Sequence, residues 1–181
     1  MDTIECIKTR RSVRKYQDKE IDIELINEVM DAVRYSPSWK NTEAIRYTVV
    51  MNNTIKNEIA NKGVCGFSFN AKTIERSKAL VIQTAIKYLS GYEADKSFST
   101  PKGEGFEMYD AGISAQTLAL ACHNYGLGSV IMGIYDESEI RKIVDINENE
   151  TITALIALGY PLEIKEAPKR IEKEEIVRFI K

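Results

Sequence analysis

The chain has 181 residues, 44% hydrophobic and 29% charged, which fits one soluble domain spanning residues 1–181 with a single core. Its net charge of −2 argues against a nucleic-acid-binding surface, which normally shows as a strongly basic domain. The longest apolar runs, such as Ala79-Leu80-Val81-Ile82, are too short to span a bilayer, and the polar start Met1-Asp2-Thr3-Ile4-Glu5 does not read as a secretory signal, so no membrane partner is expected.

Residues 3–9 read as a short helix with Ile4 and Ile7 on one side. It runs into Arg10-Arg11-Ser12-Val13-Arg14-Lys15-Tyr16, a dense set of cations around one hydroxyl in a mildly acidic chain. Arginine presents a planar fork of donors that matches a phosphate or carboxylate at two points, so this stretch is suited to gripping a phosphorylated ligand. In isolation it also reads as a solvated basic turn. Asp22 is the expected N-cap of an amphipathic helix over 23–35, carried by Ile23, Ile26, Val29, Met30 and Val33. Ser36-Pro37-Ser38 ends it, because a residue before proline avoids the helical region.

Tyr47-Thr48-Val49-Val50-Met51 reads as a strand, followed by a helix near 53–61 and a loop punctuated by Gly63 and Gly66. Ala79 to Ala85 reads as a buried strand. The polar stretch 87–105, with Gly91, Pro101, Gly103 and Gly105, is the candidate lid. Residues 106–125 give the strongest helix signal, apolar nearly all round and therefore expected to be buried on most faces. Its small residues Ala111, Gly112, Ala115 and Ala119 suit either core packing or a subunit interface.

Strands follow at 129–132 and 151–158, with a helix at 137–145 that Asp136 and Glu139 are expected to open as a reciprocal cap. The polar tail carries Pro161 and Pro168 and is expected to run extended. This alternation predicts a helix-flanked sheet. It does not predict a dinucleotide-binding fold: Gly126-Leu127-Gly128 precedes a strand instead of following one, and the next glycine is Gly133. Cys6, Cys65 and Cys122 are scattered, which suggests free thiols in a cytoplasmic setting. Cys122 reads as core and the single histidine, His123, as surface; nothing else stands at metal-ligand spacing, so no metal is expected.

Taken in order, five segments resemble the FMN-dependent nitroreductase family over almost the full length: Arg10 to Tyr16; Ser36-Pro37-Ser38-Trp39-Lys40-Asn41-Thr42; Asn70-Ala71-Lys72; Asp110 to Gln116 continuing to Gly126-Leu127-Gly128-Ser129; and Pro168-Lys169-Arg170. The resemblance implies an α+β fold with a mixed central sheet flanked by helices. It also implies an intertwined homodimer whose C-terminal tail wraps the partner, with FMN at the interface. By that likeness Arg10, Arg11 and Ser12 hold the FMN phosphate and ribityl oxygens, with Lys169 and Arg170 closing the phosphate site. Arg14 stands near the pyrimidine edge, where negative charge gathers on reduction, as an electrostatic stabiliser. Asn70 and Lys72 meet the ring edge, and Met132 and Gly133 bring backbone amides to it. Pro37, Ser38, Trp39 and Asn41 reach the flavin from the partner subunit.

The resemblance further implies that NADH or NADPH passes a hydride to FMN and leaves, and that a nitroaromatic, a quinone or a similar small acceptor then takes its place. No side chain is an obligatory acid or base. The alternatives are a non-catalytic FMN sensor or carrier and a reductive dehalogenase or flavin-fragmenting relative. Glu43-Ala44-Ile45 and Met132-Gly133 depart from the family's usual Gln-Pro-Trp and Glu-Gly, which leaves substrate choice open.

Overall fold

The computed structural model describes residues 1–181. Two adjacent strands are apolar along nearly their whole length, and such strands must be covered on both faces. They are β2 (Ala79–Ile86) and β4 (Glu150–Gly159), which pair antiparallel at the centre of a four-stranded sheet. The flanking strands are β1 (Ile45–Val50), beside β2, and β3 (Gly128–Met132), beside β4, giving the order β1-β2-β4-β3. All three ladders are antiparallel. The mixed sheet expected from the resemblance is thus antiparallel within one chain, and the parallel component is reduced to an isolated bridge between Ser12 and Ser129.

Alternate residues of the central strands face opposite cores, as a period of two requires. Leu80, Ile82, Leu155 and Ala157 point to one core, shared with Ile59 of α3 (Asn53–Lys62), Ile74 of α4 (Ser68–Arg76) and Ile140 of α6 (Glu137–Ile143). Ala79, Val81, Ile156 and Leu158 point to the other, shared with Val29 and Val33 of α2 (Ile23–Val33) and Leu118 of α5 (Gly105–Asn124). The result is three layers, helices over both faces of one sheet.

The predicted elements sit where expected to within two residues, including α1 (Thr3–Thr9), with three differences. The stretch 68–76, to which the sequence assigns no element beyond the Asn70-Ala71-Lys72 motif, is the helix α4. Phe67 stands at its N-cap and offers no side-chain hydrogen bond, so the usual start signal is missing. The expected reciprocal cap of α6 is half made: Asp136 accepts from Glu139 N at 3.1 Å, but the Glu139 carboxylate pairs with Lys142 at 2.5 Å. Finally, α5 is buried on one face only. Ala111, Ser114, Ala115, Leu118, Ala119 and Cys122 turn inward, while Met108, Tyr109, Gly112 and Gln116 are exposed. The tail from Leu162 is exposed throughout and carries one further turn, α7 (Lys173–Ile176).

Candidate functional site

The basic motif is laid across the sheet by two close backbone contacts. Val13 N donates to Ser129 O at 2.9 Å, and Gln17 N donates to Tyr160 O at 2.8 Å. Val13 presses on Gly128 and Tyr16 on Gly159: a Cβ would come within 2.7 Å of Val13 Cβ at the first and 2.6 Å of Tyr16 Cδ1 at the second. Only glycine allows so close an approach. Tyr16 donates its hydroxyl to Val13 O at 2.6 Å, and burial pushes its pKa well above that of an ordinary tyrosine, so it stays a donor. With Val13 and Tyr16 buried, Ser12, Arg14 and Lys15 are left facing outward.

Those outward residues form one wall of a cleft of about 410 Å³. A second wall is one face of α4, with Phe69, Lys72, Thr73 and Arg76; the start of the tail supplies Glu163 and Lys165. Lys15 pairs with Glu163 at 3.1 Å, and this contact holds the Glu163 carboxyl below its usual range. Arg14, Lys72, Arg76 and Lys165 make no ion pair, though Lys165 adds a weaker pull on the Glu163 carboxyl.

Arg10 lines a small adjoining hollow with Arg11, His123 and Ser129. Nε of Arg10 and Nε of Arg11 are both buried without a partner. Buried guanidinium N–H groups lacking acceptors are costly, and an oxyanion is the acceptor that suits them. Arg11 is partly engaged elsewhere: its Nη1 donates to Lys8 O at 2.7 Å and Arg10 O at 2.8 Å, closing the end of α1. That leaves Arg10 as the freer of the two. His123 contacts Thr9 Oγ1 through Nε2 at 2.8 Å, and its pKa is lowered by burial and by Arg10 and Arg11.

On α4, between the cleft residues Phe69 and Lys72, Asn70 Nδ2 donates to Ile134 O at 3.0 Å, bracing the helix against the chain leaving β3. Met132 turns its side chain into the core, so only its backbone is available. A Cβ at Gly133 would meet nothing within 4 Å, which leaves open space beside this backbone for a flat ligand. Ser12, Arg14 and Lys72 therefore line one cleft, Arg11 reaches both it and the adjoining hollow of Arg10, and Asn70 joins α4 to the chain just beyond Met132 and Gly133.

Pro37, Ser38, Trp39 and Asn41 are not brought to this cleft. Pro37 and Ser38 line another hollow, of about 330 Å³, with Arg34, Tyr47 and Asp110. Trp39–Asn41 make a single 3₁₀ turn, and the backbone is left-handed at Lys40 (φ 45°), Asn41 (φ 55°) and Glu43 (φ 49°). Non-glycine residues hold such angles only where their surroundings impose them. Here Asp110 accepts from Trp39 N at 2.9 Å, Ser38 Oγ accepts from Glu43 N at 2.9 Å, and Lys40 pairs with Glu93 at 2.9 Å. Trp39 packs on Phe106 with ring centroids 4.3 Å apart. Lys169 and Arg170 also stand apart from Arg10 within the chain, in a surface hollow with Glu172 and Glu175. The tail is too exposed to fold back over its own site.

Three groups of residues at these sites carry no role in the sequence reading. Gly128 and Gly159 set the motif's depth. Asp110 lay inside a quoted motif without a role of its own. Arg76 and Lys165 complete the cleft; the i, i+4 spacing of Lys72 and Arg76 becomes visible once 68–76 is read as a helix.

Comparison with known proteins decides the family. The nitroreductase family model matches residues 7–160. This chain belongs to the nitroreductase family. A Methanothermobacter thermautotrophicus relative, provisionally named NADH dehydrogenase/NAD(P)H nitroreductase, is 34% identical over 90% of this family member and 79% of its own length. A crystal structure of a provisionally named nitroreductase from Exiguobacterium sibiricum, in complex with FMN, superposes with a TM-score of 0.83 at 19% identity, over 99% of this chain and 98% of that one. More distantly, an iodotyrosine deiodinase from Thermotoga neapolitana is 23% identical over 95% of this chain and 94% of its own. No helix of this family member is long and apolar enough to cross a membrane.

Proposed function

We propose that this chain is an FMN-dependent oxidoreductase that takes a hydride from NADH or NADPH and delivers it to a small acceptor such as a nitroaromatic or a quinone. The observation that carries this reading is the pair of buried, unpartnered guanidinium N–H groups of Arg10 and Arg11 at a small hollow adjoining a cationic cleft. A phosphate at that end would satisfy them, and Arg14 and Lys72 would then face the ring. Bound FMN would supply the two-electron chemistry, accepting the hydride from the nicotinamide and releasing it to the acceptor.

Within the chain, Arg10 and Ser12 would bind and orient, and Arg14 would hold a positive charge where negative charge gathers. Asn70, braced on Ile134, would keep one carbonyl oxygen free for a ring N–H. Pro37, Ser38, Trp39 and Asn41, remote from the chain's own cleft, fit a homodimer in which they serve the partner's site. The exposed Met108–Tyr109–Gly112–Gln116 face of α5 and the exposed apolar side chains of the otherwise polar tail support the same assembly. Three free thiols support a reducing, cytoplasmic setting.

The test is an absorption spectrum of the purified protein titrated with FMN, then mixed anaerobically with NADH or NADPH. One flavin per chain, bleached by a reduced nicotinamide and restored by an acceptor, is the expected result. Folded protein that binds no FMN overturns the reading; binding without bleaching turns it into a carrier. A second reading, reductive dehalogenation, draws on the likeness to the deiodinase. Release of iodide from iodotyrosine by the reduced protein distinguishes it.

A further inference from the structure

The cleft holds more positive charge than a flavin ring requires. Lys15 is neutralised by Glu163, and Arg11 is turned onto the end of α1. Arg14, Lys72, Arg76 and Lys165 remain without an ion pair, and the one carboxylate of the cleft, Glu163, is already paired with Lys15 although Lys165 also acts on it. The flavin reading uses the first two, at an edge that gains at most one negative charge. Like charges lining one cleft repel each other unless an anion joins them.

The two surplus cations are set by the fold. Arg76 lies one turn beyond Lys72 on the same face of α4, about 9 Å along the axis from Asn70, which marks the ring-edge end. Lys165 follows Glu163 by two residues, and that stretch is stitched in place: Leu162 N donates to Lys15 O at 3.0 Å, and Gln17 Nε2 donates to Pro161 O at 2.8 Å. These contacts hold the tail at Pro161 and Leu162, three residues before Lys165, which lines the cleft.

We propose that Arg76 and Lys165 form a second anion subsite, which takes the phosphate or carboxylate of the small molecule that occupies the cleft beside the flavin. This rests on the flavin reading of the same cleft. The ligand chemistry is an oxyanion, and it has two possible sources: the extra ribose phosphate that distinguishes NADPH from NADH, or a carboxylate on the acceptor. A guanidinium and an ammonium lining one cleft offer the donors that either would need.

The experiment uses FMN-loaded protein at low ionic strength. Dissociation constants for NADP⁺ against NAD⁺, and for 4-nitrobenzoate against 4-nitrobenzamide, are read from perturbation of the flavin spectrum, with KM measured for the same pairs. Wild type is expected to favour the member that carries the extra negative group in at least one pair by about tenfold, as one charge-assisted contact implies. R76Q/K165Q should erase that preference, R76K/K165R should largely keep it, and the FMN dissociation constant should move less than about threefold in both, since neither residue is assigned to FMN. Preference in the nicotinamide pair assigns the subsite to the electron donor; preference in the nitrobenzene pair assigns it to the acceptor. Equal binding within both pairs by wild type, with FMN bound normally, overturns this inference alone. A preference that survives R76Q/K165Q also overturns it. Failure of wild type to bind FMN overturns the flavin reading and the subsite together.

Discussion

Asp110, buried in α5, accepts the main-chain N–H of Trp39 at 2.9 Å and so anchors the left-handed stretch at Lys40, Asn41 and Glu43 to the longest helix. The same carboxylate oxygen accepts from Ser90 Oγ at 2.5 Å, which draws in the start of the 87–105 loop. One buried group thereby ties the candidate lid to the segment that the dimer reading sends toward the partner's flavin.

Asp110→Ala should leave two buried donors unpaired and destabilise the fold by roughly 2–4 kcal/mol. Asp110→Asn should cost far less, because both contacts use one oxygen and an amide retains one. Urea denaturation of the two variants checks this; equal losses would show that the charge matters instead of the acceptor.

Much of the fold was legible because its signals are local. The period-three and period-four apolar pattern of α2 and the apolar run of β2 follow directly from which faces must be covered. Helix α4 was hidden because Phe67 replaces a capping side chain and two glycines precede it. The exposed half of α5 was misjudged because apolarity all round does not distinguish a core helix from one whose second face meets another chain. For the site, the Arg10 to Tyr16 cluster was visible as composition. The engagement of Arg11 with the end of α1 and the distance of Lys169 and Arg170 from Arg10 depend on tertiary path, which spacing does not encode.

Arg10 and Arg14 should separate binding from redox tuning. The phosphate beside Arg10 keeps its charge during turnover, so Arg10→Ala should weaken FMN binding equally in both redox states. Arg14 faces the edge that becomes negative, so Arg14→Ala should act differentially. Losing that contact should lower the two-electron potential by roughly 20–60 mV, equivalent to about 1–3 kcal/mol. Potentiometry and FMN titration on both variants check it; an unchanged potential in Arg14→Ala removes the role.

His123 is the chain's single histidine, so its ring gives one clean titration by NMR. Burial, then Arg10 and Arg11, hold its pKa below the ordinary 6.5, against the weaker opposing pull of Glu5. Because the folded state binds this proton less readily than the unfolded chain, its contribution to stability is present above pH 6.5. It falls away as pH drops through the depressed folded value. Flavin-free protein should titrate at that depressed value, and added FMN should raise the midpoint, because a phosphate between Arg10 and Arg11 cancels their repulsion. A midpoint unmoved by saturating FMN would place the phosphate elsewhere.

The tail should divide into two functions. Ile171, Ile176, Phe179 and Ile180 are 63–88% exposed in a segment with no core of its own. If they bury against a partner, each contributes about 1.5–3 kcal/mol. A chain ending at Arg170 should then dimerise more weakly by at least about 4 kcal/mol, near a thousandfold. Lys169 and Arg170 are polar and need not affect assembly, but at the phosphate they would contribute charge-assisted contacts. K169Q/R170Q should therefore remain dimeric while FMN affinity falls by about ten- to a hundredfold. Sedimentation and FMN titration on the two proteins separate the roles. A shortened chain that stays fully dimeric at nanomolar concentration shows that the apolar tail does not embrace a partner. Unchanged FMN binding by K169Q/R170Q shows that the tail's cations do not close the phosphate site.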